Sequence, residues 1–263
     1  MNLELKGKVA LIGGSGSGLG RAIAEELAAE GAAIVLCGRR AAELTAARED
    51  IARRFGVETL ANPADLATAE GVREVTGAAL KQFGHVDILV TNVGGPPAGT
   101  FEELTPEQWD AAYRLTLASA VNLVRALLPP MKQCRWGRIL NVTSIAVRQP
   151  LDNLMLSNSL RAAVTGFART LANEVAPHGI TVNNVLPGYT MTDRLDHLAA
   201  AAAEREQRPK EEVIRRWQQQ VPAGRLGEPR EFAALVAFLA SARAGYITGT
   251  SIAVDGGWTR ALY

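Results

Sequence analysis

The stretch Val9-Ala-Leu-Ile-Gly-Gly-Ser-Gly-Ser-Gly-Leu-Gly-Arg-Ala22 constrains this chain more than any other. Val9 to Ile12 is an apolar run of the length of a short buried strand. Leu19 to Ala29 repeats apolar residues at helical spacing, with Glu25, Glu26 and Glu30 on the other side. Between them lie Gly13, Gly14, Gly16, Gly18 and Gly20. Glycine lets a backbone turn sharply and approach a ligand closely, and the helix that follows points its free N–H groups at whatever sits there. A diphosphate suits that place. The strict Gly-x-Gly-x-x-Gly fingerprint is absent; the spacing present is Gly14-x-x-x-Gly18-x-Gly20. A flexible glycine linker is the alternative, but strand and helix flank this loop directly.

The alternation continues along the chain. Strands are expected at Ala33–Leu36, Val57–Leu60, Asp87–Val90, Arg138–Val142, Ile180–Val185 and Ser251–Val254. Helices are expected at 41–55, 68–83, 106–128, 153–175 and 228–239. Thr105-Pro-Glu-Gln108 has the form of a capping box, and Pro177-His-Gly179 is a stop signal. Strand and helix in strict turn predict an α/β fold with a doubly wound parallel sheet, a single Rossmann-type domain over residues 1–263. Residues 193–220 follow Pro187-Gly188 and read as a small helical lid, the second helix starting near Pro209.

At the end of the second strand stands Gly38-Arg39-Arg40. NAD sites place an acidic side chain there for the ribose hydroxyls. Two guanidinium groups suit a 2′-phosphate instead, which predicts NADP (NADPH) as cofactor; the bland alternative is a solvated basic turn. Gly94 to Gly99 is made of Gly, Pro and Ala and should form a stiff loop at the carboxyl edge of the sheet, where open α/β sheets place ligands.

Charge excludes other classes. With 28 basic and 27 acidic residues the net charge is +1, so no basic field points to nucleic acid or an anionic membrane. No apolar run reaches membrane-spanning length, and Met1 to Lys8 does not resemble a signal peptide. Cys37 and Cys134 fall in no metal or redox spacing, which fits a reduced, cytoplasmic setting and no metal.

Several further segments resemble the short-chain dehydrogenase/reductase family, in the right order and over almost the entire chain. They are the glycine loop, Asn92 and Gly94 in Thr91-Asn-Val-Gly94, Asn183-Asn-Val-Leu-Pro-Gly188 with Thr192, Pro222-Ala-Gly-Arg-Leu-Gly-Glu-Pro229, and Tyr246-Ile-Thr-Gly249 running to Gly257. The look is nearest to the 3-oxoacyl-(acyl carrier protein) reductase-like branch. The resemblance implies an oxidoreductase acting on a small-molecule or acyl-thioester carbonyl, and a homo-oligomer, dimer or tetramer, paired through the helices at 106–128 and 153–175. It implies cofactor contacts from Gly14, Ser15, Ser17, Gly18, Leu19 and Gly20, from Arg39, Arg40, Asp65 and Leu66, from Asn92 and Gly94, and from Pro187, Gly188, Thr190 and Thr192.

The catalytic pattern departs from the family. Ser144 is kept, but Ser157 stands where the family has Tyr, Arg161 where it has Lys, and Thr116 where it has Asn. None of Tyr113, Tyr189, Tyr246 and Tyr263 has a lysine four residues later. Carbonyl reduction needs an acid for the developing oxyanion, and a serine hydroxyl is a far weaker acid than a phenol of pKa about 10. The serine oxygen also stops roughly 4 Å short of where the phenol would end. Ser157 and Arg161 share one helical face, so a water polarised by Ser144, Ser157 and Arg161 fits the gap. The guanidinium is also expected to hydrogen-bond the nicotinamide ribose. Tyr189, just after Pro187-Gly188, is the alternative acid, or an aromatic wall of the pocket. His197 reads as a surface residue. The competing function is a catalytically weak NADP-binding protein, a sensor or partner subunit.

Overall fold

The structure is a computed structural model, and it describes residues 2–262. Seven strands, all parallel, form one sheet: β1 (Val9–Ile12), β2 (Ala33–Gly38), β3 (Thr59–Pro63), β4 (Ile88–Thr91), β5 (Gly137–Val142), β6 (Ile180–Pro187) and β7 (Ser251–Val254). Their order is β3-β2-β1-β4-β5-β6-β7. The chain winds outward from β1 to β3, then crosses to β4 on the other side of β1. The crevice between the carboxyl ends of β1 and β4 is therefore the switch point where such sheets take ligands.

Alternation along each strand divides the core into two layers. Ala10, Ile12, Ile34, Leu36 and Val90 face helices α1 (Gly18–Ala29), α2 (Ala41–Phe55) and α9 (Pro229–Ala240), meeting Ile23, Leu27, Leu44, Ile51, Phe232 and Val236. Val9, Leu11, Val35, Leu89, Ile139 and Val182 face α3 (Ala69–Phe83), α5 (Ser119–Cys134) and α6 (Met155–Val175), meeting Val72, Val75, Leu123, Leu127 and Leu171. Both faces being covered explains why the strands read as continuous apolar runs.

Several expected boundaries move. β3 is Thr59–Pro63 rather than Val57–Leu60, because its register is set by pairing with β2, from Ile34↔Thr59 to Gly38↔Pro63. Proline is tolerated there because β3 is an edge strand. The expected 106–128 helix is three pieces: α4 (Pro106–Tyr113), a π-helical turn at Arg114–Ala118, and α5. The capping box on α4 forms as read, with Thr105 and Gln108 bonded reciprocally. Thr116 is buried in the π turn, and its hydroxyl has no partner among the described residues. α5 runs through Pro129 and Pro130 to Cys134, its last turn packed into the core by Met131. α6 starts at Met155 because Asn153 adopts a left-handed backbone, φ 61°. β6 extends to Pro187, which places the next segment at the sheet edge. Between β6 and α9 stand the two expected helices, α7 (Asp193–Glu206) and α8 (Lys210–Gln220).

Candidate active site

The glycine loop is tied down from three directions. Ser15, fully buried, donates its hydroxyl to Ile12 O at 2.8 Å and accepts from Cys37 N–H at 2.9 Å, so it staples the turn to β2. That leaves its hydroxyl engaged inside the fold rather than free for a phosphate. Asn92 Nδ2 donates to Gly13 O at 3.0 Å, pinning the loop to the end of β4. Leu66 is buried beneath Gly13. A Cβ on Gly20 would lie 2.3 Å from Gly14 O, so that glycine is needed for the helix to approach the turn. Asp65 is exposed and its carboxylate accepts from Ala67 N–H, the geometry of a turn before α3.

The start of α1 is open. Ser17 is its N-cap, yet the Ser17 side chain makes no capping hydrogen bond, and the first turn contains no acidic residue. The hydroxyl instead accepts from Arg40 Nη2 at 3.0 Å. Free N–H groups and the positive end of the helix dipole thus face the crevice. Gly18, at φ 55°, sits against the Thr192 methyl, and a Cβ on Gly94 would meet nothing within 4 Å. This cradle fits a dinucleotide diphosphate. At the far end, Arg39 and Arg40 are exposed beside Gly38, and Arg40 Nη1 pairs with Glu43 at 2.7 Å.

A cleft of about 680 Å³ adjoins this cradle and brings Ser144, Ser157, Arg161, Tyr189, Thr190, Thr192, Pro187, Gly188, Asn92 and Gly94 together. Ser144 follows β5, and its Oγ accepts from Ala146 N–H at 3.1 Å, leaving its own proton free. Ser157 and Arg161 lie one turn apart on α6, both buried. Arg161 Nε donates to Ser157 Oγ at 3.2 Å, while Nη1 donates to Val142 O at 2.8 Å and Thr143 O at 2.9 Å. The guanidinium is therefore locked onto the end of β5, and only Nη2 is left for a ribose hydroxyl. Burial, and then the charge of Arg194, push its pKa down to about 10, so it stays cationic at neutral pH.

The opposite wall is aromatic. Tyr189 stacks on Trp217 of α8 with centroids 5.0 Å apart and meets Trp258 edge-on at 5.8 Å. Burial raises its pKa, against a smaller lowering by Arg216, which is the wrong direction for an acid. Of the lid charges, Arg194, Arg205, Glu206 and Arg216 line the cleft. His197 is exposed and does not. Trp217, Trp258 and Arg194 are cleft residues that the sequence reading missed; Arg194 lies two residues after Thr192, and that adjacency was the available signal. Tyr263 lies outside the described residues.

An uncapped helix at the switch point of a parallel sheet, opening onto a serine-bearing cleft, defines a dinucleotide-dependent oxidoreductase. The chain belongs to the short-chain dehydrogenase/reductase family. A family model described as enoyl-(acyl carrier protein) reductase matches residues 14–259. A 3-oxoacyl-[acyl-carrier-protein] reductase of Vibrio cholerae is 39% identical, covering 98% of both chains. A D-beta-hydroxybutyrate dehydrogenase of Cupriavidus necator is 36% identical, covering 97% of this chain and 98% of its own. The crystal structure of L-sorbose reductase from Gluconobacter frateurii with NADPH and L-sorbose superposes with TM-score 0.95 at 36% identity, covering 100% of both. All are named as reductases or dehydrogenases, and nothing among them supports an inert partner subunit. No helix among the described residues is long and apolar enough to cross a membrane, and no group of side chains there could hold a metal.

Proposed function

We propose that this protein is an NADPH-dependent reductase of a small-molecule or acyl-thioester carbonyl, with a serine–arginine wall in place of the family's phenol. The observation that carries this is the meeting of Ser144, Ser157 and Arg161 in the cleft that the cofactor cradle opens into. NADPH, when bound, supplies a hydride to the carbonyl carbon. The N–H groups at the start of α1 hold the diphosphate, and Arg39 and Arg40 hold the 2′-phosphate. Thr190, Thr192, Pro187 and Gly188 border the nicotinamide side. Ser144 and Ser157 each accept one hydrogen bond from the protein and keep a proton to donate to the substrate oxygen. The fixed Arg161 cation stabilises the charge that develops there, the role of an oxyanion hole. The two serine hydroxyls only hydrogen-bond; the proton the new alcohol gains comes from a water held between them, and the hydroxide left behind is reprotonated from bulk solvent. Residues 193–220 act as the lid, and Tyr189 as its aromatic seat. The protein works as a cytoplasmic homo-oligomer.

The test is a carbonyl panel, including ketoses and acyl thioesters, followed by loss of NADPH absorbance. Turnover that falls on Ser144→Ala at unchanged cofactor affinity supports the reading. Cofactor binding without turnover on any substrate would refute it.

A further inference from the structure

The cleft carries more positive charge than the protein itself neutralises. Arg161, Arg194, Arg205 and Arg216 line it, against Asp152 and Glu206. Glu206 is already taken, 2.7 Å from Arg216 and 3.6 Å from Arg205. Arg161 donates only to neutral oxygens, the carbonyls of Val142 and Thr143 and the Ser157 hydroxyl. Arg194, in the first turn of α7, donates Nη2 to Pro96 O at 2.9 Å and pairs with no carboxylate among the described residues. Its guanidinium rests against Gly95, where a Cβ would come within 3.0 Å of Nε, Cζ and Nη2. Glycine at 95 thus makes room for that side chain.

The two unpaired guanidinium groups are close enough for the charge of Arg194 to depress Arg161, in addition to burial. Like charges brought together on facing elements, α6 and α7, repel unless an anion lies between them. Arg194 is exposed enough for a ligand to reach; Nη2 gives one hydrogen to Pro96 O, Nε and Nη1 make no hydrogen bond to the described residues, and so one guanidinium edge, Nε with Nη2 or Nη1 with Nη2, stays open to a carboxylate. Asp152 is the only other free charge in the lining, and it is exposed.

Resting on the reductase reading above, we propose that the substrate is an oxo acid. Its carbonyl lies at Ser144 and Ser157, and its carboxylate is held by Arg194 within the field of Arg161. The bond from Arg194 to Pro96 O already ties α7 to the loop after β4, so the carboxylate docks on a guanidinium that the fold holds in place.

The experiment compares 2-oxobutanoate with its neutral amide as substrates, and measures oxamate binding to the protein–NADP⁺ complex by calorimetry, in wild type, Arg194→Gln and Arg194→Lys. Wild type should favour the acid over the amide by about tenfold or more in kcat/KM. Arg194→Gln should bring that ratio close to one and abolish oxamate binding, with Arg194→Lys restoring part of both. NADPH affinity should not move. A wild type that treats acid and amide alike, or an acid preference that survives Arg194→Gln, overturns the proposal. A loss of NADPH affinity equal for both substrates also overturns it, because the guanidinium then serves the cofactor diphosphate. Oxamate binding that Arg194→Gln removes, in a protein that turns over neither substrate, upholds the anion site and refutes the reductase reading alone.

Discussion

Arg161 shows how the identity of one side chain sets the chemistry available at one place in a fold. A lysine there would be a mobile point charge; the guanidinium is a fork fixed by two carbonyls and a serine. Because its pKa is pushed down to about 10, the cation persists at neutral pH and is lost as pH climbs through that value. Turnover should therefore fall above pH about 10 in a rate–pH profile of the wild type. Arg161→Met should lower kcat on the order of a hundredfold across the whole profile. It should also lower the melting temperature, since two buried carbonyls lose their donors at about 1–3 kcal/mol each. Tyr189→Phe is the matching control. In the proposed role of an aromatic wall for the phenol, which stacks on Trp217 and has its pKa raised by burial, kcat should stay within about threefold, whereas a general acid is worth a hundredfold or more.

At the scale of elements, the β2–α2 junction is where the proposed choice of NADPH over NADH would be made. Gly38 leaves no acid for ribose hydroxyls, and Arg39 and Arg40 stand exposed beside it. Arg40 is already paired with Glu43 and bonded to Ser17, so a 2′-phosphate must compete with the Glu43 carboxylate. Glu43→Gln should tighten NADPH several-fold in a fluorescence titration, and Arg39→Asp should reverse or erase the preference over NADH. The helix α6 offers the complementary experiment. Restoring the family pattern with Ser157→Tyr and Arg161→Lys together should raise ketone turnover; either change alone should not, because Lys without the phenol has no acid to tune.

For the molecule as a whole, the unexplained surface is the outer side of α6. Ala162, Ala163 and Gly166 are exposed there, small and uncharged, and Tyr113 of α4 is 48% exposed nearby in the same helical layer. This patch of small residues, bordered by the exposed Arg169 further along α6, favours self-association through helix packing. Sedimentation at micromolar concentration should show a dimer or tetramer, and Ala163→Arg should dissociate it.

Period and punctuation in the chain alone determined the seven strands, the main helices and the glycine cradle, because these are local signals. What they left open is what depends on neighbours. The register of β3 came from its partner β2, not from its own apolar residues. The π turn at Arg114–Ala118 interrupts a helix whose apolar spacing reads as unbroken. That the Ser15 hydroxyl bonds to Cys37 and staples the turn to β2 was not legible, since only the fold brings Cys37 to it. Arg194 had only its adjacency to Thr192 as a signal, and its role depends on the fold in the same way. A side chain becomes a charge in a site only when α7 folds back over β4, and that distance is closed by tertiary packing, not by sequence.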